Sequence, residues 1–150
     1  MGQRRKAREA AIGILYQCDI REDWNVDAVV EDYIRENPAV ATEEKEFALA
    51  LVRGVAGHLE EVDLELGRAL VNWQLERLGY MERNILRLGA FEVLLQDFTP
   101  DKVAVDEAVE MAKHYCDKES PGLINGVLQG IMNMKAAGKA PGAPGEKLAG

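Results

Sequence analysis

Threonine, cysteine and tryptophan are scarce in this chain of 150 residues, since each of them occurs only twice. Threonine is enriched in β-strands, whereas the abundant alanine, leucine and glutamate favour helix. Cys18 and Cys116 are too few for a disulfide scaffold, and their apolar helical contexts are typical of buried thiols in a reducing compartment. The composition therefore excludes an all-β fold and favours an all-α protein.

Long apolar runs are also lacking, because none approaches the roughly 20 residues that a membrane-spanning helix needs. Residues 10–15 follow a basic start, as in a signal peptide, but Glu9 and Asp19 flank them and no small-residue cleavage site follows. We therefore expect a soluble, cytoplasmic protein that makes no membrane contact.

The common catalytic motifs are missing, including Cys-x-x-Cys, His-Glu-x-x-His, Gly-x-Ser-x-Gly and the glycine-rich phosphate loops. The two histidines, His58 and His114, do not stand in the Glu-x-x-His motif of di-iron bundles. Cys116 and His114 lie two apart on a helix and would point to different sides. We therefore expect no enzyme activity, no metal and no cofactor.

The net charge of −8 is unevenly distributed along the chain. Four cations lie within the first eight residues (Arg4, Arg5, Lys6 and Arg8), so the remainder carries −12. This balance argues against a protein that coats duplex DNA over a wide surface. It suits a local contact with an anion, or an ordinary solvated helix start, and charge alone leaves both interpretations open.

Proline positions and apolar periodicity predict seven helices. Their approximate bounds are 4–20, 26–35, 42–58, 60–73, 80–96, 102–115 and a last helix from 120. Thr42 is expected to cap the third helix, and Ser120 to cap the last one with Pro121 at its first position. Gly54 and Gly57 predict a break near His58.

Residues 88–95 are apolar nearly all round, which is typical of a buried central helix. The sequence thus predicts a compact all-α bundle of about seven helices in two subdomains, at about 1–58 and 59–135. Residues 136–150 are low in complexity, and we expect a disordered tail there.

The first helix places cations and an aromatic ring on one flank. At about 100° per residue from a stripe centred on Cys18, Arg8 lies about 80° round, Arg5 about 140° and Tyr16 about 160°. Guanidiniums and a stacking ring are what single-stranded RNA sites use, and four phosphate contacts would give a log–log salt slope of about −2.8. The alternative is that Tyr16 belongs to the rim of the core and Arg5 pairs with Glu9, and spacing favours neither.

Several short segments follow one another in a distinctive order: RRKARE (4–9), LYQ (15–17), ERNILRL (82–88), FEVL (91–94), KVAVDEAVEMAK (102–113) and INGVL (124–128). As a set that spans about residues 4–135, they resemble the NusB family of bacterial transcription antitermination proteins. The resemblance implies an all-helical fold of two subdomains. It also implies a partner, the ribosomal small-subunit protein that doubles as transcription factor NusE.

According to this resemblance, the two proteins would bind boxA-type single-stranded RNA. They would act in the RNA polymerase antitermination complex, notably on ribosomal RNA operons. Carried over by position, RNA-binding residues would be Arg4, Arg5, Lys6, Arg8, Tyr16, Lys102 and Glu119, and partner-binding residues would be Glu82 and Arg83. Asp101 stands where the family usually has tyrosine, and we expect it to weaken RNA contact locally.

Two other functions remain to be considered. A helical protein-interaction module that binds no RNA directly would have the same composition. A helical domain like those attached to some RNA methyltransferases is not expected to act as an enzyme, because no catalytic domain follows residue 135. The sequence leaves open whether the free protein is a monomer or a homodimer.

Overall fold

A computed structural model describes residues 2–38, 44–71 and 74–138, with only the backbone at residues 2 and 3. All regular secondary structure in these ranges is helical, which confirms the all-α prediction. The chain divides into two compact units, Met1–Gly57 and His58–Gly150.

The first unit contains α1 (Gly2–Arg21), α2 (Val26–Glu36) and α3 (Glu44–Gly57). The helix α1 packs against both of the others. Its buried stripe includes Ala7, Ala11, Ile14, Leu15 and Cys18. Near the start of α1, a small apolar cluster joins Ala7 and Ala10 to Ala48 of α3, and Phe47 packs against it. This cluster places the first turns of α1 beside α3.

The second unit contains α4 (Leu59–Ala69), a short 3-10 helix (Leu75–Arg77), α5 (Tyr80–Leu94), α6 (Asp101–Tyr115) and α7 (Ser120–Ala136). The helix α5 packs against α4, α6 and α7, and every residue from Asn84 to Leu94 is buried. The prediction of a buried central helix is therefore confirmed. At Gly89 a Cβ atom would lie 2.7 Å from Cδ1 of Leu128, so the glycine permits the close approach of α7.

Three polar side chains on α5 are buried, Asn84, Arg87 and Glu92, and the first two are hydrogen-bonded to each other. Nε and Nη2 of Arg87 donate to the two carboxylate oxygens of Asp63 on α4, at 2.8 Å and 2.9 Å. Nη1 of Arg87 donates to Oδ1 of Asn84 at 3.2 Å. Such a bidentate pair compensates part of the cost of burying a guanidinium, and it ties α4 to α5.

Lys135 joins three helix ends. Its Nζ atom donates to the carbonyl oxygen of Val93 at 2.6 Å, and to the two carboxylate oxygens of Asp101 at 3.2 Å and 3.1 Å. Val93 lies in the last turn of α5, where carbonyl groups have no partner within the helix. One ammonium group of α7 thus forms a hydrogen bond with the end of α5 and an ion pair with the start of α6.

The helix bounds differ from prediction in the second unit. The helix α4 ends at Ala69, because Leu70 is extended with φ −84° and ψ 102°. Leu70 and Leu75 are nevertheless buried, so the apolar pattern continues after the helix has ended. The predicted break near His58 is confirmed, since α3 ends at Gly57 and α4 begins at Leu59. Thr42, the predicted cap of the third helix, and residue 73, the predicted end of the fourth, lie outside the described residues.

The helix α7 begins at residue 120 as predicted, but the predicted cap is wrong. Ser120 is the first helical residue rather than the cap, and Pro121 is the second. The Ser120 hydroxyl donates to Oε2 of Glu82 on α5 instead of capping its own helix. Ala136 belongs to α7, while the predicted tail from residue 139 onward lies outside the described residues.

Candidate nucleic-acid interface

The first turn of α1 presents cations to solvent. Arg4, Arg5 and Lys6 are exposed, and the turn contains no acidic residue. Acidic side chains normally stabilise this end of a helix, because the backbone dipole leaves it partly positive. Three cations there add to the positive potential at a cost in helix stability. The arrangement therefore suits an incoming anion better than it suits the isolated helix.

Arg8 differs from the sequence expectation, because it is only 3% exposed. Its Cζ atom lies 5.4 Å from the centroid of the Phe47 ring of α3, and Cζ of Arg4 lies 4.0 Å from the same centroid. Ile12 and Asp19 of α1 are also buried, so the buried stripe of α1 extends beyond Ala7, Ala11, Ile14, Leu15 and Cys18. Direct contact between Arg8 and a phosphate, as predicted, is not available in this conformation.

Tyr16 is half-buried, and the adjacent Gln17 is exposed. The Tyr16 ring therefore lies at the rim of the core, as one interpretation of the sequence predicts, and it keeps an accessible part on which a base could stack, as the other requires. Farther round α1, a Cβ atom at Gly13 would lie 2.6 Å from Oη of Tyr33, so the glycine accommodates this second ring. Burial, and secondarily the Glu9 carboxylate, raises the pKa of Tyr33, which stays a neutral phenol at physiological pH.

Lys102 and Glu119, which the resemblance assigns to RNA, are exposed residues of the second unit. Nζ of Lys102 lies 3.4 Å from Oδ2 of Asp106, an exposed pair that contributes little to stability. Asp101 forms an ion pair with Lys135. Its negative charge is thus partly balanced within the protein, which reduces the repulsion of RNA that we expected from it.

Glu82 and Arg83, assigned to the protein partner, lie in the first turn of α5. Oε1 of Glu82 accepts a hydrogen bond from the backbone N–H of Gly79 at 3.2 Å, while Oε2 accepts the one from Ser120. Glu82 therefore joins the starts of α5 and α7. Cζ of Arg83 lies 4.6 Å from the ring centroid of the exposed Tyr80, which gives a cation–π pair at the surface.

Other kinds of site find little support in the described part of the chain. In residues 2–38, 44–71 and 74–138, no group of His, Cys, Asp and Glu side chains is arranged to hold a metal ion. Cys18 is buried, but Cys116 is only partly so, which differs from the expectation of two buried thiols. Of the helices that the structure describes, none has both the length and the apolar character that crossing a membrane requires.

Comparison with known proteins identifies the family. A family model described as the NusB family matches residues 5–133. The chain belongs to the NusB family. It is 36% identical over 144 residues to the transcription antitermination protein NusB of Bifidobacterium longum subsp. infantis, covering 96% of this chain and 76% of that protein. It is 39% identical to the NusB protein of Streptomyces coelicolor, covering 90% and 96% of the two chains.

Solved structures of NusB proteins have the same fold. NusB of T. maritima has 34% sequence identity and a TM-score of 0.77, with 87% of this chain and 90% of that chain covered. Another neighbour is a complex described as antitermination factors NusB and NusE with dsRNA. It has 31% identity and a TM-score of 0.80 and covers 89% of this chain and 98% of that chain.

Proposed function

We propose that this NusB-family protein is a cytoplasmic transcription antitermination factor. It binds boxA-type single-stranded RNA together with a NusE-type ribosomal protein, within the RNA polymerase antitermination complex on ribosomal RNA operons. Family membership supports the function, and the neighbouring NusB–NusE complex with dsRNA supports NusE and RNA as the partners.

The observation that carries the RNA site is the exposed first turn of α1, with Arg4, Arg5 and Lys6. Tyr16 lies eleven residues beyond Arg5, which is about 16 Å along the helix. Phosphates of an extended strand would contact the cations while a base stacks on the ring. Arg8 contributes as a buried neighbour rather than as a phosphate ligand, and Lys102 and Glu119 are proposed as secondary contacts from the second unit.

The test is a titration of labelled boxA RNA by fluorescence anisotropy, with and without NusE. Arg5→Ala and Lys6→Ala should each weaken RNA binding by about three- to tenfold, because each removes a charge-assisted phosphate contact worth about 1 kcal/mol at an exposed site. The matched control is Lys113→Ala, which removes an exposed cation of α6 that pairs with Glu110 and should leave RNA affinity unchanged.

Two outcomes would contradict the proposal in different ways. Equal effects of the α1 variants and of Lys113→Ala would mean that the first turn of α1 is not the site. Binding to NusE without any RNA binding would favour the protein-interaction module instead. The acidic body of the chain would then attract a basic partner.

A duplex of the same sequence should bind more weakly than the single strand, because paired bases cannot stack on Tyr16.

A further inference from the structure

One aromatic ring of α3 contacts two of the N-terminal arginines of α1. Phe47 is half-buried against Ala7, Ala10 and Ala48, so its position is fixed by the core of the first unit. The guanidinium carbon of Arg4 lies 4.0 Å from the ring centroid, and that of Arg8 lies 5.4 Å away. Both distances are within the range of about 6 Å for cation–π attraction.

The ring offsets a repulsion that the sequence builds into α1. Arg4 and Arg8 are four residues apart and therefore lie on one face of the helix, where like charges destabilise each other. Because the face of an aromatic ring is negative, Phe47 attracts both cations and holds them together. A guanidinium that stacks its flat face on a ring keeps its in-plane N–H donors for an anion, and the 4.0 Å distance of Arg4 is short enough for such stacking.

The side chain of Arg4 is exposed, and an exposed arginine is otherwise free to adopt many rotamers. Binding a phosphate then costs the entropy of fixing that side chain. A ring that already holds the guanidinium in place removes part of this cost before RNA arrives. Phe47 has no such role for Arg5, because Arg5 lies about 100° farther round α1 than Arg4.

We propose that Phe47 is a positioning residue for RNA binding, which holds Arg4 in a binding-ready conformation through its ring face. This inference rests on the proposed function, since it assumes that the first turn of α1 contacts RNA. It adds a residue of α3 to the part of the proposed site that α1 forms. Phe47 itself does not touch the RNA.

A double-mutant cycle tests the coupling. Phe47→Leu keeps an apolar side chain and removes the ring, and it should weaken RNA binding about three- to tenfold in the wild-type background. In an Arg4→Ala background the same substitution should change affinity by less than about twofold, because the residue that it positions is gone. In an Arg5→Ala background, Phe47→Leu should weaken binding as much as it does in the wild type. Phe47→Tyr keeps the ring and should bind RNA as tightly as the wild type does.

The outcomes separate this inference from the proposed function. Unchanged affinity of Phe47→Leu, or an equal loss in the Arg4→Ala background, overturns the role of Phe47 while RNA binding at α1 stands. Absence of RNA binding by the wild type overturns both.

A measurement on the wild-type protein covers the case in which Phe47→Leu fails to fold. Protons on the Arg4 side chain should show upfield ring-current shifts in the NMR spectrum of the free protein, because they lie over the Phe47 ring. Shifts at the values of an unstructured arginine would overturn the inference.

Discussion

Both cysteine thiols are held in their neutral form by their surroundings. Burial is the main cause and raises the pKa of Cys18 and of Cys116 from 9.0 to about 11. The Asp23 carboxylate adds to the effect at Cys18, and the Glu82 carboxylate adds to it at Cys116. Because the thiolate is the nucleophile and the metal ligand, neither residue is reactive near neutral pH.

Titration of single-cysteine variants checks this interpretation. In Cys18→Ala and in Cys116→Ala, the ultraviolet thiolate absorbance of the remaining cysteine should rise with a midpoint near pH 11. Each pKa is higher in the folded state than the ordinary value of 9.0, so the stabilising contribution of the neutral thiol is complete below pH 9. It is lost as the pH rises through 11, and a midpoint near 9 in the folded protein would contradict the assignment.

The exposure of some individual side chains could be predicted from the sequence, and that of others could not. The exposure of Arg5 and Lys6 follows from their place opposite the apolar stripe of α1. The burial of Arg8 does not, because its neighbours include Phe47, which is far away in the chain. The same holds for the bond between Ser120 and Glu82, which joins two helix starts that no local pattern connects.

Within the helices of the second unit, glycine has opposite consequences at two positions. Gly89 of α5 lies against Leu128, which is fully buried and cannot move without disturbing the core. Gly126 is an exposed residue inside α7, and a Cβ atom there would meet nothing within 4 Å. Only the first glycine is therefore required by packing.

Alanine substitution should distinguish the two positions. Gly89→Ala should lower the free energy of unfolding by about 1–2 kcal/mol, because overpacking outweighs the helix propensity gained. Gly126→Ala is the matched control and should raise it by about 0.5–1 kcal/mol. Chemical denaturation measures both, and destabilisation by Gly126→Ala would show that its surroundings are less open than described.

Most helices were predictable from periodicity alone, and α2, α5 and α6 begin within one residue of their predicted starts. The end of α4 was not predictable, because Leu70 and Leu75 keep an apolar pattern after the chain has left the helix. Periodicity reports which residues are buried. It does not report the backbone conformation in which they are buried.

The charge of the whole molecule limits how the proposed RNA ligand can bind. With a net charge of −8, most of the surface repels a polyanion, so contact should be confined to local clusters of cations. Of the four N-terminal cations, three are exposed in the structure. The number of phosphate contacts at this cluster is therefore smaller than the sequence alone suggests.

The salt dependence of RNA binding measures that number. Three contacts at about 0.7 each predict a log–log slope of about −2.1 instead of −2.8. Arg5→Ala should flatten the slope by about 0.7, because it removes one counterion-releasing contact. A wild-type slope near −2.8 would indicate a fourth phosphate contact, as expected if the proposed secondary contact Lys102 also binds a phosphate, and Lys102→Ala should then flatten the slope by about 0.7.

At this scale the fold class, the order of the helices and the family could all be inferred from the sequence. The candidate site could be inferred from the sequence only in part. Arg4, Arg5, Lys6 and Tyr16 follow from one helix, while Lys102, Glu119, Glu82 and Arg83 rest on resemblance. The structure adds that Glu82 bonds to Gly79 and Ser120 within the protein, which no pattern in the sequence indicates.

The position of Lys135 has a consequence for how this end of the molecule opens. Helix ends usually fray one residue at a time, but here the loss of the last turn of α7 withdraws an ammonium group from two other helices. The Val93 carbonyl and the Asp101 carboxylate would lose their partner in the same event. We therefore expect local opening near the C-terminal end of α7 to loosen the end of α5 and the start of α6 as well.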